Sequence, residues 1–379
     1  MRIGYDASVI FSSVGGTRRY AVQLLSALLR QREDWEYFLY ARRDAQAQEL
    51  RAMWPRANAH PVVVSGSPNT LRTQLDLPAA LRRDHVDVYH SLGYFLPLRW
   101  NGPKVVTIHD MNVYVGWRQW MRPRKFVNWA DMAVQVPLAA WAAARVITDS
   151  TSSKELALRI LHLDPDKVVV VHLAPDPFFE QGPRESELAN ARALTGDGHF
   201  VLFVGIISAQ KNLGMLVRAF ASSGLHQGGV KLVLAGSDRE GEGEALRRLA
   251  KSVGVGDDLV LTGYVTDATL RALYHRALAL VLPSHGEGFG LPLVEAMASG
   301  TPVLAARTQS LPEVVGDGGE LFDRDDAAAL AALLRRVHDE ASFREDLAQR
   351  ARRRRSAFSW DTAARATAGV YEAVARSSR

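Results

Sequence analysis

Ser284-His285-Gly286-Glu287-Gly288-Phe289-Gly290-Leu291-Pro292-Leu293-Val294-Glu295-Ala296-Met297-Ala298-Ser299-Gly300-Thr301-Pro302 is the stretch on which the fold turns. It follows the apolar run Leu278–Pro283, which has strand character, and its first glycines permit a backbone too tight for side chains. Pro292 suits the first turn of a helix, so the passage reads as strand, loop and helix N-terminus. Phe289, Gly290 and Leu291 then aim backbone N–H groups, with the positive end of the helix dipole, at an anion or at sugar hydroxyls. Glu295 follows within the first turn or so, where a carboxylate accepts hydrogen bonds from paired hydroxyls, as acidic residues do for ribose in other doubly wound folds. Glu287 could do the same for a sugar. Taken singly, Glu287 reads equally as a solvated loop residue and Glu295 as a dipole partner; their company with the glycines points to a ligand. As a hydrolase's acid and base they fit poorly. On one helix, at about 1.5 Å per residue, they would lie about 12 Å apart, beyond the roughly 5–9.5 Å such pairs need.

The same alternation runs outward from this block. Phe200–Val204, Lys231–Ala235, Asp258–Thr262, Leu278–Pro283 and Pro302–Ala305 are short apolar runs separated by helical periods. An earlier series repeats the grammar without repeating the sequence: Arg2–Tyr5, Tyr37–Tyr40, Pro61–Val64, Val86–His90, Val105–His109, Arg145–Thr148 and Val168–His172. After its first member, Ala21, Leu24, Leu25, Leu28 and Leu29 recur at the spacing that lines one helical face. The proline-rich segment Ala174–Pro183 breaks every period and marks the junction. The expectation is an α/β protein of two doubly wound, Rossmann-like domains: residues 1–175, a linker over 176–187, residues 188–357, and a closing helix over 358–379. Trp360, Ala363, Ala364, Val370, Tyr371 and Val374 give that helix an apolar docking face, with Thr367 its one polar member. Facing each other, two such sheets would form a cleft beyond their strands' carboxyl ends.

Composition agrees with two cores. The 379 residues are 47% hydrophobic and 23% charged, which excludes a disordered or collagenous chain. Zero cysteines exclude a disulfide scaffold, thiolate zinc sites and a cysteine nucleophile. The amino terminus enters a strand pattern at once and lacks the apolar region of a secretory signal, so a cytoplasmic location is expected. Met132–Ile147, the longest apolar-leaning stretch, is interrupted by Gln135, Pro137 and Arg145 and is shorter than the roughly 20 residues that span a bilayer. Residues 1–175 hold 22 Lys and Arg against 15 Asp and Glu, and the chain as a whole has a net charge of +5, so the positive surplus sits in the first half. Phosphates, anionic lipids and nucleic acid all answer to such a field. No zinc, KH or RRM pattern accompanies it, and no nucleic-acid partner is expected.

Upstream of the opening block, Phe203-Val204-Gly205 closes a strand, and Lys211-Asn212 precede Leu213, Leu216, Val217 and Phe220 at helical spacing. An ammonium and a helix dipole converge there, suited to a leaving diphosphate, although a lysine at a helix start is also an ordinary solvated residue.

The Ser284–Pro302 block resembles the E-x7-E region of the retaining glycosyltransferases of family four, a large group that includes bacterial polysaccharide mannosyl-, glucosyl- and galactosyltransferases with the GT-B fold. The resemblance covers most of the chain. It implies an α/β GT-B architecture, two facing Rossmann-like doubly wound domains with a C-terminal helix docking back on the first, the first domain serving the acceptor and the second the nucleotide-sugar donor. It also implies that Glu287 contacts the donor sugar's hydroxyls, that Glu295 binds the ribose, and that Gly205 and Lys211 belong to the diphosphate site. Relatives usually carry an arginine just after that glycine or just before the lysine; this chain has Ile206 and Gln210.

Val14-Gly15-Gly16-Thr17-Arg18 looks like the family's glycine loop, which would set the amides of Gly15 and Gly16 on the diphosphate with Arg18 as a phosphate or acceptor contact. The family places a histidine where His109 ends an apolar strand, beside the donor sugar; its companion Asp110 would orient it or meet the acceptor. Asp149-Ser150-Thr151-Ser152 resembles a later motif facing the cleft, with Ser150 as the contact, and reads equally as a helix N-cap. Gly263-Tyr264-Val265 resembles the loop that holds the nucleobase. The catalytic set is thus His109, Glu287 and Lys211. Asp323-Arg324-Asp325 has a metal-binding form but sits at an apparent helix start, where dipole complementation explains it, and no metal is expected. Trp117, Trp120, Phe126 and Trp129 among Arg118, Arg122, Arg124 and Lys125 suit either a core with solvated arginines or a peripheral membrane contact.

The resulting expectation is transfer of a hexose, mannose favoured, from GDP-mannose or alternatively a UDP-sugar, to a glycan or lipid-linked acceptor with retention and without a cofactor. Sugar-nucleotide epimerisation, glycoside phosphorolysis, and a non-catalytic sugar-nucleotide-binding protein are the alternatives.

Overall fold

In the computed structural model, residues 1–12, 15–66, 72–115, 123–238 and 241–377 are described, with side chains except at 113 and 123–131. The chain divides into two compact units, Met1–Leu173 with Ser359–Arg379, and Ala174–Phe358.

The first unit is built on β1 (Arg2–Tyr5), β2 (Glu36–Ala41), β3 (Ala59–Val63), β4 (Val88–Ser91), β5 (Lys104–Ile108), β6 (Arg145–Thr148) and β7 (Val168–Val170). They form one parallel sheet in the order β3-β2-β1-β4-β5-β6-β7. Helices cover parallel sheets on both faces, which is why β4 and β5 are buried along their whole length. The helix Gly16–Gln31 buries Ala21, Leu24, Leu25, Leu28 and Leu29, the stripe that its spacing predicts, together with Tyr20 and Ala27. Strand order reverses between β1 and β4, and the carboxyl ends flanking that point are where such sheets hold ligands.

The closing helix, Trp360–Arg376, starts at Ser359, whose hydroxyl accepts the Asp361 N–H, and packs on the helix Gly16–Gln31 within this unit. Its buried face carries Trp360, Ala363, Ala364, Val370, Tyr371 and Val374, with Thr367 among them. Tyr371 anchors it in the sheet. Its hydroxyl shares a hydrogen bond with the Tyr5 hydroxyl and another with His90 Nδ1 at 2.6 Å. His90 Nε2 meets Thr107 Oγ1 at 2.8 Å, and Thr107 also pairs with the Tyr20 hydroxyl at 2.7 Å. All five side chains are buried, so the polar chain is closed on itself and each link is expensive to break. Burial, helped by the nearby charge of His109, pushes His90 down to about 3, so its ring is neutral.

The second unit is built on β8 (Phe200–Val204), β9 (Lys231–Ala235), β10 (Leu259–Gly263), β11 (Ala279–Leu282), β12 (Val303–Ala306) and β13 (Glu320–Phe322). This parallel sheet has the order β10-β9-β8-β11-β12-β13, reversing between β8 and β11. The short edge strand β13 has too few residues to show a period and is absent from the sequence reading. Helix Leu213–Ser223 buries Leu213, Leu216, Val217 and Phe220, as their spacing requires. Much of the proline-rich junction is part of this unit. Phe179 is fully buried with its ring edge-on to Tyr274 at 5.5 Å, and Arg271 both stacks over Phe178 at 4.0 Å and pairs with Glu187 at 2.6 Å. Arg271 and Glu187 are themselves buried, so neither charge is tolerable there without the other.

Among the described residues no helix is long and apolar enough to cross a membrane. The aromatic and basic cluster from Trp117 to Trp129 lies outside the residues whose side chains are described, although a helix runs over Pro123–Ala142.

Candidate functional site

In the second unit the site assembles where strand order reverses. The chain leaving β8 passes Gly205, makes a tight turn over Ala209–Lys211 and enters the helix Leu213–Ser223 through Asn212, which holds a left-handed φ of 52°. The chain leaving β11 passes Ser284 and reaches Glu287 before the helix Leu291–Ala298. Lys211 Nζ and Glu287 Oε1 are 2.6 Å apart, with only 18% and 15% of their side chains exposed. Ser284 donates a second hydrogen bond to the same oxygen at 2.6 Å. Thus a cation and a carboxylate that the sequence separates by 76 positions meet at one point, half-shielded from water and strongly coupled.

The loop carrying Glu287 is held from both sides. Gln210 donates from Nε2 to the Gly286 carbonyl at 2.9 Å, and its own carbonyl accepts the His285 N–H at 2.9 Å. From the chain leaving β12, Thr308 donates to the Ser284 carbonyl at 2.9 Å and Ser310 to the Glu287 carbonyl at 2.8 Å. A Cβ on Gly286 would lie 2.4 Å from the amide end of the Gln309 side chain, which would have to swing aside to admit it. At Gly290 the requirement is conformational, a φ of 97° at the entrance to the helix Leu291–Ala298. Phe289, buried, stacks edge-on to Phe358 at 5.5 Å and fixes that entrance further. Leu291 is buried as the first residue of the helix. Burial pushes the neighbouring His285 below its ordinary range, and the Arg324 charge pushes in the same direction.

Close backbone approach also shapes the chain after β8. A Cβ on Gly236, which follows β9, would lie 1.8 Å from the Gly205 carbonyl oxygen. Gly205 itself has φ 153° and donates its N–H to Ala235 at 3.0 Å. Tyr264, just past β10, exposes 70% of its surface, with Val265 half-buried beside it. Asp323 and Asp325 lie in the turn before the helix Ala327–Asp339, whose cap is Asp326. Among the described residues no cluster of three or more His, Cys, Asp and Glu is placed to hold a metal ion.

Glu295 lies near the start of the helix Leu291–Ala298, where its spacing puts it. It is fully buried, and its carboxylate accepts the Tyr274 hydroxyl at 2.9 Å, so in this arrangement it fixes the helix against its neighbour and presents no oxygen to solvent. Spacing alone put it near the helix start but could not say which face it occupies.

In the first unit, Gly15 precedes the helix Gly16–Gln31 with φ 76°, and Gly15, Gly16 and Arg18 are exposed at its start; Val14 lies outside the described residues. His109 follows β5. Its Nδ1 faces Asp149 Oδ2 at 2.8 Å, its Nε2 faces the Leu92 carbonyl at 3.2 Å, and the Tyr20 ring stands perpendicular to it at 4.8 Å. Burial pushes His109 down; the charge and hydrogen bond of Asp149, with the Leu92 carbonyl, more than reverse this and hold it above the ordinary histidine range.

Asp149, not Asp110, therefore orients the imidazole. Asp110 instead accepts the Asn112 N–H at 2.9 Å and shapes the turn after His109. Ser150 is the N-cap of the helix Thr151–Leu161, accepting the Ser153 N–H at 3.0 Å, and is buried, in line with the N-cap reading of that motif. The sequence reading also missed Gln210 as a clamp, along with Ser284, Thr308 and Ser310. Their one legible signal is position, since each lies just beyond a strand's carboxyl end.

Two doubly wound parallel units of this topology define the GT-B class of glycosyltransferase folds. Profile comparison matches residues 14–177 to "Glycosyltransferase Family 4" and residues 185–354 to "Glycosyl transferases group 1". The D-inositol 3-phosphate glycosyltransferase of Streptomyces coelicolor is 32% identical over 338 residues, covering 79% of this chain and 72% of its own. The O-antigen chain mannosyltransferase B of Escherichia coli is 29% identical over 294 residues, covering 76% and 75%. In fold, the chain resembles Anabaena HepE, solved in complex with UDP and glucose, with a TM-score of 0.74 at 19% identity over 98% of this chain and all of that one. The chain belongs to glycosyltransferase family 4 and is a glycosyltransferase.

Proposed function

We infer that this enzyme transfers a hexose, mannose before others, from a nucleotide-diphosphate sugar to a glycan or lipid-linked acceptor with retention of configuration. The observation that carries the reading is the Lys211–Glu287 pair at the β8/β11 reversal. Its ammonium suits the diphosphate and its carboxylate suits the sugar's hydroxyls, so one ion pair marks both sides of the bond that breaks. Heterolysis of that bond puts charge on the diphosphate, and a cation already fixed in a half-buried site stabilises that charge more than water would. The amides at the start of the helix Leu291–Ala298 act in the same sense. Tyr264 offers an exposed ring to the base, and Glu295 supports the site from beneath by holding Tyr274.

His109 supports retention. Both its ring nitrogens face acceptors, so the ring is not arranged as a base, and on this reading the leaving phosphate takes the acceptor's proton. GDP-mannose is favoured because a relative of similar length is named a mannosyltransferase, and the UDP-bound structural neighbour makes a UDP-sugar the alternative. The work is placed in the cytoplasm, with peripheral membrane contact through the basic first unit and without a metal.

The test is a product assay with GDP-mannose and UDP-glucose against glycan and lipid-linked acceptors. Nucleoside diphosphate released in step with a new α-linkage from an α-donor is the expected result. Sugar phosphate, an epimerised donor, or donor binding without turnover would overturn it.

A further inference from the structure

Two histidines lie close together in the first unit and are held in opposite charge states. His90 sits among the hydroxyls of Tyr371 and Thr107, which give or accept a proton as needed, and its ring is neutral. His109 faces only acceptors, a carboxylate oxygen on one side and a backbone carbonyl on the other. A carbonyl cannot donate, so with Asp149 ionised, satisfying both contacts requires a proton on each ring nitrogen. We propose that Asp149 is a positioning residue that keeps His109 a doubly protonated imidazolium, so that His109 acts on a bound ligand as a fixed positive charge and not as a carrier of protons.

The surroundings agree from every side. Asp149, reached from β6, is buried, and its negative charge is stable there only against a facing cation; burial pushes its carboxyl up while His109 and His172 oppose the shift. Asp110, on the turn after β5, adds a second negative charge. Tyr20, from the helix Gly16–Gln31, presents its ring and keeps its hydroxyl on Thr107. Tyr94, beyond β4, stays protonated because burial and both aspartates push its hydroxyl up. From β4 itself comes His90, whose neutrality spares the site a second cation. What a ligand meets at the carboxyl end of β5 is thus an imidazolium locked in an ion-pair network with two carboxylates, and not a ring with a lone pair to take up a proton. This rests on the transferase reading for its purpose, not for its chemistry.

The experiment separates the two. In the full-length protein labelled with 15N-histidine and without substrate, the His109 ring is expected to carry protons on both nitrogens at pH 6.5, with its titration midpoint above the ordinary 6.5 or so. In Asp149→Asn, which keeps an acceptor but no charge, the midpoint should fall by about one pH unit or more. A wild-type ring already neutral at pH 6.5 overturns the proposal whether or not any sugar is transferred, and so does an unmoved midpoint in a folded Asp149→Asn. Where transfer is measured, Asp149→Asn should lose about tenfold in kcat at pH 7 and recover part of it at pH 5.5, because acid restores the cation. A loss that is the same at every pH would mean a merely structural role and would overturn it.

Discussion

Replacing Tyr371 by Phe tests the closed polar chain that pins the final helix. The substitution keeps the ring, which meets His90 edge-on at 5.6 Å and Tyr5 at 6.4 Å, and deletes only the hydroxyl. Two buried groups then lose a partner, the Tyr5 hydroxyl and His90 Nδ1. At about 1–3 kcal/mol for each orphaned group, the first unit should lose roughly 2–6 kcal/mol. The assay can be confined to that unit, because all eight tryptophans of the sequence fall in residues 1–173 or 359–379. With a urea dependence of about 2–3 kcal/mol per molar, the fluorescence midpoint should drop by roughly 1–2 M. Removing the second hydroxyl as well, in Tyr5→Phe/Tyr371→Phe, should return part of the loss, since only His90 is then left unpaired. A midpoint for Tyr371→Phe within about 0.2 M of wild type would mean that the chain of hydroxyls contributes nothing measurable, and the reasoning would fail.

Lys211→Met should weaken nucleoside-diphosphate binding about 10- to 100-fold by titration calorimetry, the worth of a lost charged hydrogen bond, and should also lower the thermal stability of the unliganded protein, because Glu287 is left shielded without its cation. Gln210→Ala releases the Gly286 carbonyl and should raise KM for the donor severalfold while Gln210→Glu, which cannot donate from its carboxylate, behaves like Ala; steady-state kinetics on both variants check it. Acid stability follows from His90: its folded value lies below the unfolded one, so the contribution is complete above about pH 6.5 and is lost as pH falls toward 3, on the order of 5 kcal/mol in all. Urea midpoints between pH 7 and 4 should fall accordingly, and more steeply than in His90→Gln. His109 works in the other direction. Its folded value is raised, so its stabilisation is complete below the unfolded value and fades as pH rises through the folded one, which a denaturation series from pH 6 to 9 would register.

Much of the architecture is legible because burial in a parallel sheet leaves a local trace. Runs such as Val105–Ile108 and Phe200–Val204 are apolar throughout, and the helices that cover them repeat their apolar residues at three and four. Lys211 and Glu287 were readable for a related reason: each sits just beyond a strand, and strand order brings those loops together. What local pattern cannot carry is the orientation of a side chain around a helix or a partner fixed by register. For Glu295 the spacing gives a place near the helix start, and nothing local announces its bond to Tyr274. Ser150 left two readings, and the cap is the one its bond to Ser153 displays. Asp149 lies 40 residues from His109, and only the parallel register of β5 and β6 makes them neighbours. Gln210 stood out as the residue where relatives carry an arginine, and nothing in the sequence announced that its amide would splint the opposite loop.

The bond between Tyr5 and Tyr371 joins positions 366 residues apart. During synthesis at about 5–20 residues per second, β1 therefore emerges roughly 20–70 seconds before the helix that completes its burial. The whole of Ala174–Phe358 is made in that interval and has its own strands, core and ion pairs with which to fold. The unit translated first is thus the one finished last, and a nascent chain stalled anywhere before Tyr371 exposes a sheet whose innermost histidine and tyrosine still face water.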